Sequence, residues 1–137
     1  MGADQALEAG RLRNTCANFR NGLLRLEEAL PAPNRGNITK RLAELARLAF
    51  ADGQFSESAS FYERGADELV GLGMPSDDPL GFAVFLDGFA EALVAAGQTG
   101  RAREVQSRAE LLRARNQGRR AGFVPTYYHV VCASKRV

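Results

Sequence analysis

An all-α fold of helix pairs folded back on one another is predicted by three observations in this sequence. Apolar residues recur at i, i+3, i+4 and i+7 over most of the chain, Gly53 and Gly97 interrupt that rhythm at tight turns, and a β-prone stretch occurs only beyond Gln117. A chain of 137 residues, 45% of them hydrophobic, can build one core and hides roughly 68% of its unfolded surface. One helical domain over 1–118 and a tail over 119–137 are therefore expected.

The most legible element is the central pair. Before Asp52-Gly53, the residues Leu42, Leu45, Ala46 and Ala49 make one apolar helical face, and after it Phe55, Ala59, Tyr62, Ala66 and Leu69 make another. Small residues at Ala46, Ala49, Ser58 and Gly65 let the two backbones approach closely.

Residues 3–30 admit two readings. Leu12, Cys16, Phe19, Leu23, Leu26 and Leu30 follow the 4-3-4-3-4 spacing of one continuous amphipathic helix. Alternatively a turn at Ala17, where the weak helix formers Asn14, Thr15 and Asn18 gather, divides the segment into a first pair. The propensity argument favours the pair. Pro31 and Pro33 then end the element, and Asn37 is the expected N-cap of the next helix.

Gly71 to Pro79 is a dense turn signal of glycine, proline and aspartate. A third pair follows it. Phe82, Phe85, Leu86, Phe89, Ala90 and Leu93 line the first helix, Gly97 makes the turn, and Ala102, Val105, Ala109 and Leu112 line the second. Residues 123–132, rich in aromatic and β-branched side chains, are expected to be extended or briefly helical and to cap the last pair.

On these faces and turns the chain resembles the tetratricopeptide repeat family, over about residues 4–115. The step from Gly53 to Gly97 is 44 residues (97 minus 53), and Asp78-Pro79 stands just before the next helix. That long step is similar to the kinesin-light-chain type of the repeat. The sequence also departs from the pattern: Ala6, Leu42 and Leu86 occupy the large position with no Trp, Ser58 the small one, and Gln106 the second-helix aromatic one of the third unit. The resemblance implies a right-handed α-solenoid of about three antiparallel helix pairs whose first helices line a concave, partner-binding groove. Carried over by position, the groove residues are Arg11 and Asn14 in the first unit, Lys40, Glu44, Arg47 and Phe50 in the second, and Val84, Asp87, Glu91 and Val94 in the third. Relatives that clamp the acidic C-terminal tails of chaperones need a Lys/Asn set, from which Ala43, Gly88 and Glu91 depart. A protein or extended peptide of mixed charge is thus the expected partner.

Charge is unevenly distributed. Residues 1–51 hold 8 basic and 5 acidic groups, residues 52–91 hold 1 and 9, and residues 92–137 hold 9 and 2. Arg101, Arg108, Arg115 and Arg119 make a stripe on one helix face that would suit a phosphate backbone, so a nucleic-acid-binding helical protein is the alternative function. The stripe borders Val105 and Leu112, however, and has no aromatic residue until Phe123; arginine stems flanking a core with their heads in water are the preferred reading.

Catalysis finds little support. His129 is the sole histidine and has no nearby carboxylate in sequence, and no phosphate loop, metal-spaced cluster or nucleophile elbow occurs. Asp77-Asp78 reads as a turn with an N-cap, because Ca²⁺ needs six or more oxygen ligands. A non-enzymatic chain without cofactor or metal is expected. Cys16 and Cys132 read as isolated thiols of a reducing compartment. Met1 to Gly10 lacks the blocks of a signal peptide, Ala6 weakens a myristoylation reading at Gly2, and no window approaches 18 apolar residues, so a cytoplasmic location off the membrane is expected.

Overall fold

A computed structural model describes residues 2–122, with side chains from Asn14 onward. Among these residues there is no strand, and six helices follow in order: α1 (Gly2–Glu28), α2 (Arg35–Ala51), α3 (Phe55–Gly71), the short α4 (Met74–Asp77), α5 (Pro79–Ala95) and α6 (Thr99–Arg115). The all-α expectation holds. Among the long helices, α1 packs on α2, α2 on α3, α3 on α5 and α5 on α6, each folded back on the one before it. The cap expected over 123–132, with His129 and Cys132, lies outside the described residues.

The two pairs α2–α3 and α5–α6 are built alike, down to single hydrogen bonds. Each of the four helices has 17 residues. Asn34 and Asp78 cap α2 and α5, their side chains accepting from the amides of Asn37 and Gly81, both at 3.0 Å. At the turns, Gly53 and Gly97 adopt φ of 75° and 81°. The Gly53 and Gln54 amides donate to Phe50 and Ala49, and those of Gly97 and Gln98 to Val94 and Leu93, which is one Schellman motif made twice. Every one of these positions recurs after 44 residues (78 minus 34, 97 minus 53, 98 minus 54). The N-cap of α2 is thus Asn34, not the expected Asn37, whose side chain donates instead to Glu27. Asn34 follows Pro33 in an extended conformation, as an N-cap requires.

The N-terminal segment corrects the expectation of a third pair, because α1 runs without a break through Ala17. The turns explain it. No residue other than glycine takes a positive φ among the described residues, and a tight helix-ending turn at Ala17 would strain its Cβ. The fold is accordingly one long helix followed by two pairs. Nor is the heptad-like stripe as a whole the buried face: of its members Cys16 is 2% exposed, but Phe19, Leu26 and Leu30 are 48%, 69% and 50% exposed, whereas Leu24, outside the stripe, is 2% exposed. Since α1 packs mainly on α2, with Phe61 and Arg64 of α3 reaching the Leu24 cluster and Glu28, a narrow seam suffices to bury it. Leu24 sits there among Ile38, Leu42 and Leu45, and Cys16 against Leu48. Cys16 is disulfide-bonded, so it is not the isolated thiol expected, and the argument for a reducing compartment falls with it.

The main core lies where α3 meets α5. Phe85 and Phe89 project from α5 against Tyr62, whose ring meets Phe85 edge-on at 5.4 Å and stacks on Phe89 at 6.3 Å, and Phe82 joins the same buried cluster. Two glycines permit the approach. A Cβ on Gly65 would lie 2.8 Å from Phe85 Cζ, and one on Gly88 would lie 2.8 Å from the Tyr62 hydroxyl. Within the first pair, the buried Ser58 hydroxyl donates to the Ala46 carbonyl at 2.7 Å, which explains the small residue expected there.

Glycine substitutions should separate packing from propensity. Gly65→Ala is expected to lower stability by about 1–3 kcal/mol through overpacking against Phe85, and Gly53→Val by about the same through backbone strain. Gly22→Ala, in the middle of α1 with open space around it, should instead raise it by about 0.5–1 kcal/mol. Urea unfolding followed by circular dichroism checks all three; a Gly65→Ala variant as stable as the parent would refute the close α3–α5 contact.

Candidate partner-binding groove

Because α3 runs opposite to both α2 and α5, those two helices stand parallel with α3 between and beneath them. The gap is a groove of about 510 Å³. Gly36, Thr39, Lys40, Ala43, Glu44 and Arg47 form its α2 wall, and Val84, Asp87, Gly88 and Glu91 its α5 wall, with Tyr62, Leu69, Leu72 and Phe85 along the floor. Small residues keep it open. Gly88 and Ala43 face it from opposite walls, and the core contact that draws Tyr62 under Gly88 also brings its phenol to the groove floor.

Six of the ten expected partner-binding residues, Lys40, Glu44, Arg47, Val84, Asp87 and Glu91, are thus brought together. Four are not. Phe50 packs edge-on against Phe55 at 5.1 Å, Val94 is exposed beyond the groove, and Asn14 borders a separate depression of about 150 Å³ between α1, α2 and α3. The side chain of Arg11 lies outside the described residues. The floor residues Tyr62, Phe85, Leu69 and Leu72 escaped the sequence reading. A glycine on one helix facing an aromatic on the next was the available signal.

The charges are arranged by wall. Lys40 and Arg47 make the α2 side basic, while Asp87 and Glu91 make the α5 side acidic. Several are already engaged within the fold. Arg47 Nη1 donates to the Tyr62 hydroxyl at 3.3 Å, and its guanidinium lies 5.6 Å from the Phe50 ring. Asp87 accepts a bidentate pair of hydrogen bonds from Arg113 of α6, one of them at 3.1 Å. Glu44, buried, meets Arg41 at 2.9 Å and Arg20 of α1 at 3.4 Å, so it ties α1 to α2. Lys40 and Glu91, both exposed, are left as the charges on opposite walls best placed for a ligand.

Comparison with family models, with curated proteins and with solved structures returned no match to this chain.

Of the arginine stripe, Arg101, Arg108 and Arg115 lie on α6 and Arg119 just beyond it, and half of it lies over core rings. Arg101 lies 5.4 Å over the Phe89 ring and pairs with Glu63 at 2.6 Å, and Arg108 lies 5.0 Å over Phe82. Arg119 donates to Asn116 at 3.1 Å, and Arg115 is exposed. Asp78 of the expected turn caps α5, and among the described residues no group of three or more potential ligands could hold a metal ion. No described helix is long and apolar enough to cross a membrane.

Burial pushes the Tyr62 phenol above its ordinary pKa of 10.0, and the hydrogen bond from Arg47 opposes the shift without cancelling it. With the folded pKa raised, the unfolded chain loses this proton first as pH climbs past about 10, so stability is intact below that value and declines above it. Absorbance at 295 nm should show a late-ionising tyrosine. Tyr62→Phe should remove that component; a titration in which it persists would place the buried phenol elsewhere.

Proposed function

We propose that this chain is a non-catalytic protein-interaction module, a short right-handed α-solenoid of the tetratricopeptide kind, which takes an extended peptide in the groove between α2 and α5. The observation that carries the reading is the groove itself. It is lined by parallel first helices of units that repeat at 44 residues (78 minus 34), apolar on its floor and oppositely charged on its two walls. The ligand that fits has an apolar side chain over Tyr62 and Phe85, an acidic group toward Lys40 and a basic one toward Glu91. The arginine surface of α6 is the weaker candidate, because Arg101 and Arg108 lie over core rings.

A displayed random-peptide library, panned on the chain in reducing buffer, tests this. Selected peptides should lose about 10- to 100-fold in affinity to the Lys40→Glu and Glu91→Lys variants, equivalent to about 1.4–2.7 kcal/mol. Both residues are exposed, so stability should move by no more than about 0.5 kcal/mol. Peptides indifferent to both changes would exclude the groove. Micromolar binding of a generic RNA that weakens steeply with salt would favour the arginine surface instead.

A further inference from the structure

The 44-residue step between the two pairs (78 minus 34) sets the levels of the groove as well as its walls. Lys40 on α2 corresponds to Val84 on α5 (40 plus 44), so Glu91 stands seven residues further along (91 minus 84), level with Arg47 (91 minus 44). Halfway between those levels lie Ala43 and Gly88, the small residues of the two walls, above Tyr62 and Phe85. The groove therefore has a charge at each end, on opposite walls, and a gap in the middle.

We propose that the ligand of this groove is a linear motif in extended conformation, with an acidic and a basic residue four positions apart and one large apolar residue midway between them. The proposal rests on the reading of the groove as a peptide site and specifies what that peptide must contain.

Distance selects the spacing. Seven residues of helix advance about 10.5 Å, and two wall helices at the upper end of a helix spacing stand about 10 Å apart. The diagonal from Lys40 to Glu91 is then about 14 Å. Four steps of extended chain cover about 13–14 Å, whereas three cover about 10 Å and six about 20 Å. Alternation agrees. Positions i, i+2 and i+4 of an extended chain project to one side, so all three side chains face the groove together, while a spacing of three or five turns one charge to solvent. A helical ligand would set the same charges seven positions apart. With its side chains, however, a helix is about 10–12 Å across, and it does not descend between walls at this separation to reach Tyr62 and Phe85.

Charge and shape assign the three side chains. Glu44 is held by Arg20 and Arg41, and Asp87 by Arg113, so the acidic residue of the motif meets Lys40 and the basic one meets Glu91. Between them the apolar side chain enters at Ala43 and Gly88, where neither wall supplies bulk, and rests on the floor. The walls fix the spacing and not the chain direction. The motif therefore reads in either order.

Peptides selected from the displayed library on the full chain test this. They should share an acidic and a basic residue four positions apart around a central Leu, Ile, Met or Phe. Synthetic versions with one residue added or removed beside the centre should bind about 10-fold more weakly or worse by fluorescence anisotropy, a comparison that needs no variant protein. Ala43→Leu, which fills the middle of the groove, should weaken peptides with a central Leu by about 10-fold or more, and the same peptides with a central Ala by no more than about threefold; its melting temperature checks that it folds. Selected peptides that depend on Lys40 and Glu91 but carry their charges seven positions apart, or that ignore the size of their central residue, would overturn the motif and leave the groove as a peptide site. Peptides indifferent to Lys40 and Glu91, or a library that yields no binder, would remove the motif and the groove reading together.

Discussion

The contact on which the rest of this structure depends is the double interlock of α3 and α5, with Phe85 seated on Gly65 and Tyr62 seated under Gly88. Each aromatic ring fills the space that a side chain on the facing helix would take. A pair of such seats, one on each helix, fixes separation and rotation together, because sliding either helix by a residue would drive a ring into a Cβ. It also joins the two helix pairs, to which the short α4 and the Arg101–Glu63 ion pair between α6 and α3 add further links. The groove is a by-product of this geometry. With α3 drawn up tightly to α5 beneath, α2 and α5 are held apart above, and the Tyr62 phenol is delivered to the floor between them.

Much of the fold was legible because it depends on local chemistry that repeats. Gly53 and Gly97 advertise a left-handed residue, proline precedes or begins each first helix at Pro33 and Pro79, and the apolar faces have helical spacing. Those signals act within a few residues, so they survive in the sequence as pattern. The failures concern relations between elements. Whether Leu26 or Leu24 faces inward depends on where α2 lies against α1, and a heptad-like spacing gives the same apolar count for either answer. Ala17 misled for a different reason: Asn and Thr are weak helix formers by tenths of a kcal/mol, about 0.7 at most per residue, and the seam with α2 outweighs them.

The candidate site was legible to a similar depth. The family resemblance placed Lys40, Glu44, Arg47, Val84, Asp87 and Glu91 on the groove side of first helices, and they do share one groove. Which of those charges is available could not be read from spacing, since Arg113 reaches Asp87 across 26 positions and Arg20 reaches Glu44 across 24 (44 minus 20). The floor was missed because Tyr62 and Phe85 look like ordinary core residues in sequence. They are core residues, and they serve the groove with the faces that the core leaves over.

The buried Glu44 shows how stability and recognition share one wall. An uncompensated carboxylate there would cost several kcal/mol, roughly 3–5 when a partner is removed, so Arg20 and Arg41 hold it from two sides. Those contacts join α1 to the first pair at the rim of the groove. A ligand that reached for Glu44 would have to break the contact that keeps α1 in place. Lys40, one turn before it on the same helix, has no such duty and stands in water. The α2 wall therefore divides its work along its length, with the structural charge sunk between helices and the recognising charge at the surface. On α5 the same division separates Asp87, clamped by Arg113, from Glu91, one turn further on and exposed. Selectivity in such a groove comes from the two outer charges and the apolar floor between them, because only these can change partners without loosening the helices that display them.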